Sequence, residues 1–170
     1  ASPGGTGGAK TAANYAATLR PMADSAAAGF DQILWLDGIE HRHVEEAGQM
    51  NIFFQIDDTV VTPQLSGTIL PGVTRDSVVH LLRERAVTLE ERQISMEEIL
   101  QASEQGRLRE AFGAGTAAVV VPIDRIHYRG QDVQLPRPNN NSLCQQLYKA
   151  ITDLQFGVST DSYGWTTLVG

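Results

Sequence analysis

Apolar and polar residues alternate along the chain in short blocks that predict a mixture of strands and helices. A turn at Arg129-Gly130 predicts a hairpin that joins residues 125–128 to 131–135. Strands and helices do not alternate strictly, which favours an α+β arrangement over a doubly wound parallel sheet. Apolar runs rich in Val, Ile and Phe predict the other strands, at 30–36, 44–56, 60–62, 108–112 and 117–123.

Four segments carry the starting and stopping signals of helices. Residues 11–28 are rich in Ala and run up to Gly29, and Pro21 is expected to kink or divide this first helix. The other predicted helices are residues 74–85 after a Pro-Gly turn, about ten residues between the capping box Ser95/Glu98 and Gly106, and a last helix from Ser142 to Gly157.

Composition narrows the classes of function. The chain has 170 residues, 42% of them hydrophobic, and can bury the core of one domain. Its net charge of −7 argues against nucleic acid as a partner, because phosphate contacts require clustered Lys and Arg. No apolar run is long enough to predict a membrane span. Cys144, expected to be a half-buried helix residue, is the sole cysteine, which favours a reducing cytoplasm.

Four blocks of the sequence carry residue types suited to one kind of chemistry. Lys10 follows a glycine-rich run at residues 4–8, and Glu46 interrupts an apolar stretch. A glycine turn at 70–75 precedes a helix, and a second at 112–118 precedes a strand. An amine nucleophile, a carboxylate and two turns able to bind an anion are what a pyridoxal-phosphate site requires of a protein.

These blocks, in this order, resemble the branched-chain aminotransferases, the L-amino-acid branch of the fold-type IV pyridoxal-phosphate enzymes. The resemblance extends from Gly4 to about Thr167. The turn at 70–75 is similar to that of the fold type broadly, whereas residues 46–53 and 152–157 resemble the branched-chain branch. The resemblance implies a mixed-sheet pseudo-barrel domain with surrounding helices.

The resemblance also implies a role for each matching residue. Lys10 would be the Schiff-base lysine, Glu46 would keep the pyridine nitrogen protonated, and Tyr15 would donate to the phenolate oxygen of the cofactor. The remaining implied contacts are Val73, Thr74 and Thr116 to the cofactor phosphate, with Ala117 and Ala118 at the substrate carboxylate.

The implied activity is transfer of the amino group of leucine, isoleucine or valine to 2-oxoglutarate, giving branched 2-oxo acids and glutamate. Members of this family carry a whole domain before the lysine, which supplies an arginine to the cofactor phosphate. The chain opens at Ala1 without an initiator Met, so residues 1–170 are expected to be the C-terminal cofactor-binding domain of a longer, homodimeric enzyme.

Three departures from the family pattern stand out. Ala12-Ala13 replace two glycines, Gln49 replaces a small hydroxyl residue, and Ala118 and Val121 replace the two cysteines of a mammalian redox switch. Alternatives are a D-amino-acid transaminase or an aminodeoxychorismate lyase of the same fold type, or a non-catalytic module that needs a missing partner domain.

Two other features are expected to be structural. Arg75 ends the 70–75 turn and is predicted to form an ion pair, with no catalytic role. His41 and His43 have no third ligand nearby in the sequence, so no metal site is predicted.

Overall fold

A computed structural model describes residues 1–167 and 169. The helices are α1 (Ala12–Ala16), α2 (Leu19–Ala27), α3 (Val73–Glu84), α4 (Met96–Glu104) and α5 (Leu143–Gln155). The strands are β1 (Leu34–Leu36), β2 (Val44–Ala47), β3 (Met50–Ile56), β4 (Thr59–Thr62), β5 (Thr88–Glu91), β6 (Leu108–Gly115), β7 (Val119–Pro122), β8 (Arg125–Tyr128) and β9 (Gln131–Gln134). None of the helices described is long and apolar enough to cross a membrane.

Seven strands form one mixed sheet whose centre is β3. One edge of β3 pairs with β6 from Asn51 to Ile56. The other edge pairs first with β2 and then with β4, so two strands share it end to end. These pairs are antiparallel, whereas β4 and β5 run parallel and are joined by the crossover helix α3. A separate hairpin contains β8 and β9.

Both faces of the middle of β3 are buried, which explains the consecutive apolar residues Ile52, Phe53 and Phe54. Ile52 and Phe54 point into one core cluster, which includes residues of α4 and of the β8–β9 hairpin. Phe53 points the opposite way, into a second cluster with residues of α3 and α5, where its ring stacks on Phe112 at a centroid distance of 5.2 Å. The α+β class predicted from the sequence is confirmed by this architecture.

Serine side chains cap the N-termini of α4 and α5, as predicted. Ser95 accepts a hydrogen bond from the Glu98 amide at 3.1 Å, and Ser142 does the same for Gln145 at 3.3 Å. A full capping box would also have the Glu98 carboxylate accept a hydrogen bond from the Ser95 amide. That bond is not made, because the Glu98 carboxylate pairs with Arg92 instead.

The helix predicted over 11–28 is divided, as expected from Pro21. The break falls at Ala17 and Thr18, and Pro21 lies in the first turn of α2, where the amide it lacks is not needed. Two other predictions were wrong for physical reasons. The single strand predicted over 44–56 is a hairpin, with Gly48 at φ +60° in its turn. Cys144 is buried within the second cluster, where it was expected to be half-buried.

A pair of serine substitutions tests the cap of α4. Ser95→Ala removes the side-chain acceptor of the helix start and should lower the free energy of unfolding by about 1 kcal/mol. Ser103→Ala, inside the same helix, should leave stability unchanged or slightly higher, because Ala has the better helix propensity. Urea unfolding followed by circular dichroism measures both, and equal losses for the two variants would contradict the assignment of the cap.

Candidate active site

A cavity of about 1210 Å³ opens beside the β2–β3 hairpin, between α2, the β6–β7 turn and β8. Its wall contains most of the side chains singled out from the sequence, although they come from four separate blocks of the chain. The predicted residues that line it are Lys10, Glu46, Thr74, Thr116, Ala117 and Ala118.

Lys10 is placed by a glycine-rich loop that packs tightly on the segment before α3. The amide of Gly8 donates to the carbonyl oxygen of Gly67 at 2.9 Å. A Cβ atom on Gly7 would lie 2.3 Å from the carbonyl oxygen of Thr68, so the close approach requires glycine.

Asn14, the first polar residue of α1, stabilises the same loop through hydrogen bonds. Its Nδ2 donates to the carbonyl oxygens of Thr6 and Ala9, both at 2.9 Å. These two carbonyls lie on the lysine loop itself, one of them directly before Lys10. No role was predicted for Asn14 from the sequence, although it directly precedes Tyr15.

Glu46 projects into the cavity from β2, while its neighbour Glu45 projects from the opposite face of the strand. The side-chain amide of Asn51, its cross-strand partner, lies 3.5 Å from Oε1 of Glu46 and also donates to the carbonyl of Leu70 at 2.9 Å. Burial raises the pKa of Glu46 to about 7, against the opposing effect of the Leu70 backbone.

Helix α3 begins at the cavity wall without a side-chain cap. Gly72 is its N-cap in an extended conformation, and Gly72 and Thr74 line the cavity. Amides at such a helix start, together with the helix dipole, favour a bound anion. The Val73 side chain is 82% exposed and does not line the cavity, so any contribution of Val73 comes from its backbone.

Arg75, in the first turn of α3, forms the ion pair predicted for it. Its guanidinium is buried and donates to Glu91 at 2.8 Å and to the carbonyl of Pro63 at 3.1 Å. Helix α3 is thereby tied to β5, the strand that sequence reasoning missed.

The second glycine turn joins β6 to β7. Residues 116–118 form the turn and are exposed to the cavity, and Gly115 precedes them at the end of β6. A Cβ atom on Gly113 would lie 2.9 Å from the end of the Met50 side chain, so this part of β6 is glycine-rich where Met50 packs on it.

Tyr15 lies on α1, partly buried, and is not among the residues that line the cavity. The hydrogen bond expected from it to the cofactor therefore stays a prediction. Gln49, in contrast, lines the cavity from the β2–β3 turn and adds an exposed amide where the family pattern has a small hydroxyl.

Comparison with known proteins agrees with the fold. Residues 2–126 match the family described as amino-transferase class IV. Branched-chain-amino-acid aminotransferase 2 of Bacillus subtilis is 45% identical over 166 residues, covering 98% of this chain and 46% of that protein. A branched-chain-amino-acid aminotransferase of Mycobacterium tuberculosis is 39% identical over 174 residues, covering 100% of this chain and 47% of that protein.

Solved structures give the same result. The branched-chain amino acid aminotransferase of Escherichia coli superposes with a TM-score of 0.82 at 25% identity, covering 100% of this chain and 52% of that one. The enzyme of Thermobaculum terrenum, solved in its PLP-form, gives 0.81 at 28% identity over 97% of this chain and 50% of that one.

The chain therefore belongs to the class IV aminotransferases and has their fold-type IV architecture. The family resemblance carried by the sequence motifs is confirmed. The chain spans about half the length of the curated relatives it matches.

The raised pKa of Glu46 predicts a pH-dependent gain in stability for Glu46→Gln in the protein without added ligand. The folded state favours the protonated carboxyl, so this group stabilises fully below about 4.5 and its contribution is lost as pH rises through about 7. At pH 8 the variant should be more stable by about 1 to 3 kcal/mol, the lower end allowing for solvent screening.

Thermal unfolding of both proteins between pH 4.5 and 8 measures this difference, which should vanish at the acid end. Glu104→Gln, which alters an exposed carboxylate on α4, should show no such trend. A constant difference between the Glu46 variant and the parent at every pH would contradict the assignment.

Proposed function

We propose that this chain supplies the cofactor-binding domain of a pyridoxal-phosphate-dependent branched-chain aminotransferase. Its reaction would transfer the amino group of leucine, isoleucine or valine to 2-oxoglutarate, giving branched 2-oxo acids and glutamate. The observation that carries the proposal is the meeting of Lys10, Glu46 and the start of α3 in one cavity. The names of the relatives support the substrate class.

The residues of the cavity fit two functional groups of pyridoxal phosphate, the ring nitrogen and the phosphate. Glu46 is a largely buried carboxylate whose recorded hydrogen-bond partner is the neutral amide of Asn51, so its charge is costly in the chain alone. A protonated ring nitrogen beside it would offset that cost. The uncapped start of α3, at Val73 and Thr74, and the hydroxyl of Thr116 suit a phosphate dianion.

When bound, pyridoxal phosphate supplies an aldehyde that joins amines and a ring that takes up electron density. The Lys10 amine would hold the aldehyde carbon covalently, and once displaced by substrate would move a proton at the substrate α-carbon. Glu46 would hold the proton on the ring nitrogen. The turn amides of Ala117 and Ala118 would orient the substrate carboxylate. Tyr15 would donate a hydrogen bond to the phenolate oxygen of the cofactor.

The neutral character of the phosphate site supports a second part of the proposal. Val73, Thr74 and Thr116 offer amides and hydroxyls, and the nearby guanidinium of Arg75 is engaged by Glu91. A phosphate held this way lacks the charge-assisted contact of an arginine. We therefore propose that residues 1–170 are the C-terminal domain of a longer enzyme whose preceding domain supplies that arginine. From the family resemblance, we also propose that this enzyme is cytoplasmic and homodimeric.

Covalent trapping tests the central assignment. The chain has two lysines, Lys10 at the cavity and Lys149 on the exposed face of α5, where it pairs with Asp153. Borohydride reduction after mixing with pyridoxal phosphate, followed by peptide mapping, should place the label on Lys10. Lys149→Arg should keep the label and the visible absorbance band, whereas Lys10→Arg should lose both. Label mainly on Lys149 would refute the proposal.

The placement of the chain within a larger enzyme predicts weak cofactor binding and negligible turnover by residues 1–170 alone. The phosphate would lack a positively charged partner, and water would reach Lys10. We therefore expect a turnover number for amino transfer from leucine to 2-oxoglutarate below about 0.01 per second. The Bacillus subtilis relative, assayed in parallel, provides the positive control. Turnover of about 1 per second or more from a protein verified by mass to begin at Ala1 would contradict the prediction.

A further inference from the structure

We propose that Glu45, on the face of β2 opposite the cavity, is a positioning residue for Lys10, and that it acts through a hydrogen bond from Thr68. This inference rests on the proposed function, because it concerns how the proposed cofactor lysine is held. Glu45 does not line the cavity and makes no contact there, so its role would be indirect.

Glu45 is a buried carboxylate with an identifiable task. Its side chain accepts a hydrogen bond from the hydroxyl of Thr68, which is also buried, and the exposed hydroxyl of Ser66 lies 2.8 Å from that of Thr68. A buried carboxylate is retained only where such partners satisfy it.

Thr68 is the residue against which the lysine loop packs. Gly7 is buried on its backbone, at a distance that excludes any side chain, and the adjacent Gly67 accepts the hydrogen bond of the Gly8 amide. The position of residues 66–68 therefore fixes the position of residues 7 and 8, two residues before Lys10. Glu45 holds this segment through the hydrogen bond that it accepts from Thr68.

The far end of the same segment reaches the other half of the site. The carbonyl of Leu70, two residues after Thr68, accepts from Asn51, which also contacts Glu46. Segment 66–70 thus lies between the lysine loop and the carboxylate of the cavity, with one anchor to Glu45 on β2 and the other to Asn51 on β3. Loss of the Thr68 anchor would shift Lys10 relative to Glu46 while leaving β2 in place.

Two pairs of substitutions separate the hydrogen bond from the charge. Glu45→Gln keeps the length and an acceptor oxygen but removes the charge, whereas Glu45→Asp keeps the charge and is one methylene too short to reach Thr68. Thr68→Ser keeps the hydroxyl, and Thr68→Val removes it at nearly constant shape. Thr62→Val is the matched control, because Thr62 is also buried and donates to the Ile52 carbonyl at 2.7 Å, away from the lysine loop.

The first measurement needs no cofactor. Hydrogen exchange of the peptide containing residues 4–10 reports the bond from the Gly8 amide to Gly67. We expect faster exchange in Glu45→Asp and Thr68→Val, and exchange like the parent in Glu45→Gln, Thr68→Ser and Thr62→Val.

The second measurement is the rate at which the visible absorbance band of Lys10 forms on mixing each protein with pyridoxal phosphate. Glu45→Asp and Thr68→Val should be slower by about ten- to a hundredfold, as expected for a misplaced reacting group. Glu45→Gln and Thr68→Ser should stay close to the parent, as should Thr62→Val despite its lower thermal stability. If Glu45→Asp does not fold, Thr68→Val carries the test.

The outcomes distinguish this inference from the proposed function. Slowing in Glu45→Gln but not in Glu45→Asp would assign the effect to charge and overturn the inference. So would parent-like rates and exchange in Thr68→Val. Absence of label on Lys10 in the unaltered chain would instead overturn the proposed function, and the exchange data would still decide whether Glu45 positions the loop.

Discussion

Strand β3 is the constraint on which the remaining structure depends, because it is hydrogen bonded along both edges and buried on both faces. Its pairing with β6 brings the glycine turn at 115–118 to the same end of the sheet as the β2–β3 hairpin. Its side chains alternate between two separate cores, so a shift of one residue would exchange Phe53 with its neighbours and dismantle both. The site is formed at the end of β3 that pairs with β2.

The cavity concentrates groups that do not favour folding by themselves. Glu46 is held where its charge is poorly solvated, and the start of α3 is left without a side-chain cap. Elsewhere in the chain the same problems are solved locally, since Ser95 and Ser142 cap their helices and Glu110 accepts from two amides at the start of α5. Such exceptions to otherwise consistent local rules are expected at functional sites.

Sequence reasoning was most accurate where a residue determines structure by itself. The serine caps of α4 and α5 and the hairpin at Arg129-Gly130 are local signals, and the structure follows them closely. Strand β5 was missed because its sequence, Thr-Leu-Glu-Glu, has no apolar run. It is a strand because α3 returns the chain parallel to β4. The β2–β3 turn was hidden because apolar residues flank it on both sides.

For the site, the sequence motifs predicted which residues meet but not what holds them. Six predicted residues line one cavity, while Tyr15 and the side chain of Val73 do not. The supporting contacts of Asn14 and Asn51 run from a side chain to a backbone carbonyl, five residues away for Asn14 and nineteen for Asn51, and no spacing rule in the sequence reveals them.

Gly72 shows how such hidden support constrains variation in the chain. It contributes no functional group, yet a Cβ atom at this position would lie 2.3 Å from Oδ1 of Asn51, the amide that contacts Glu46. A methyl group added at the start of α3 would therefore displace a side chain on β3 and release a carboxylate on β2. In a genetic screen for loss of cofactor, alleles at Gly72 should fall into the same class as alleles at Glu46, although the two residues share neither chemistry nor neighbourhood in the sequence.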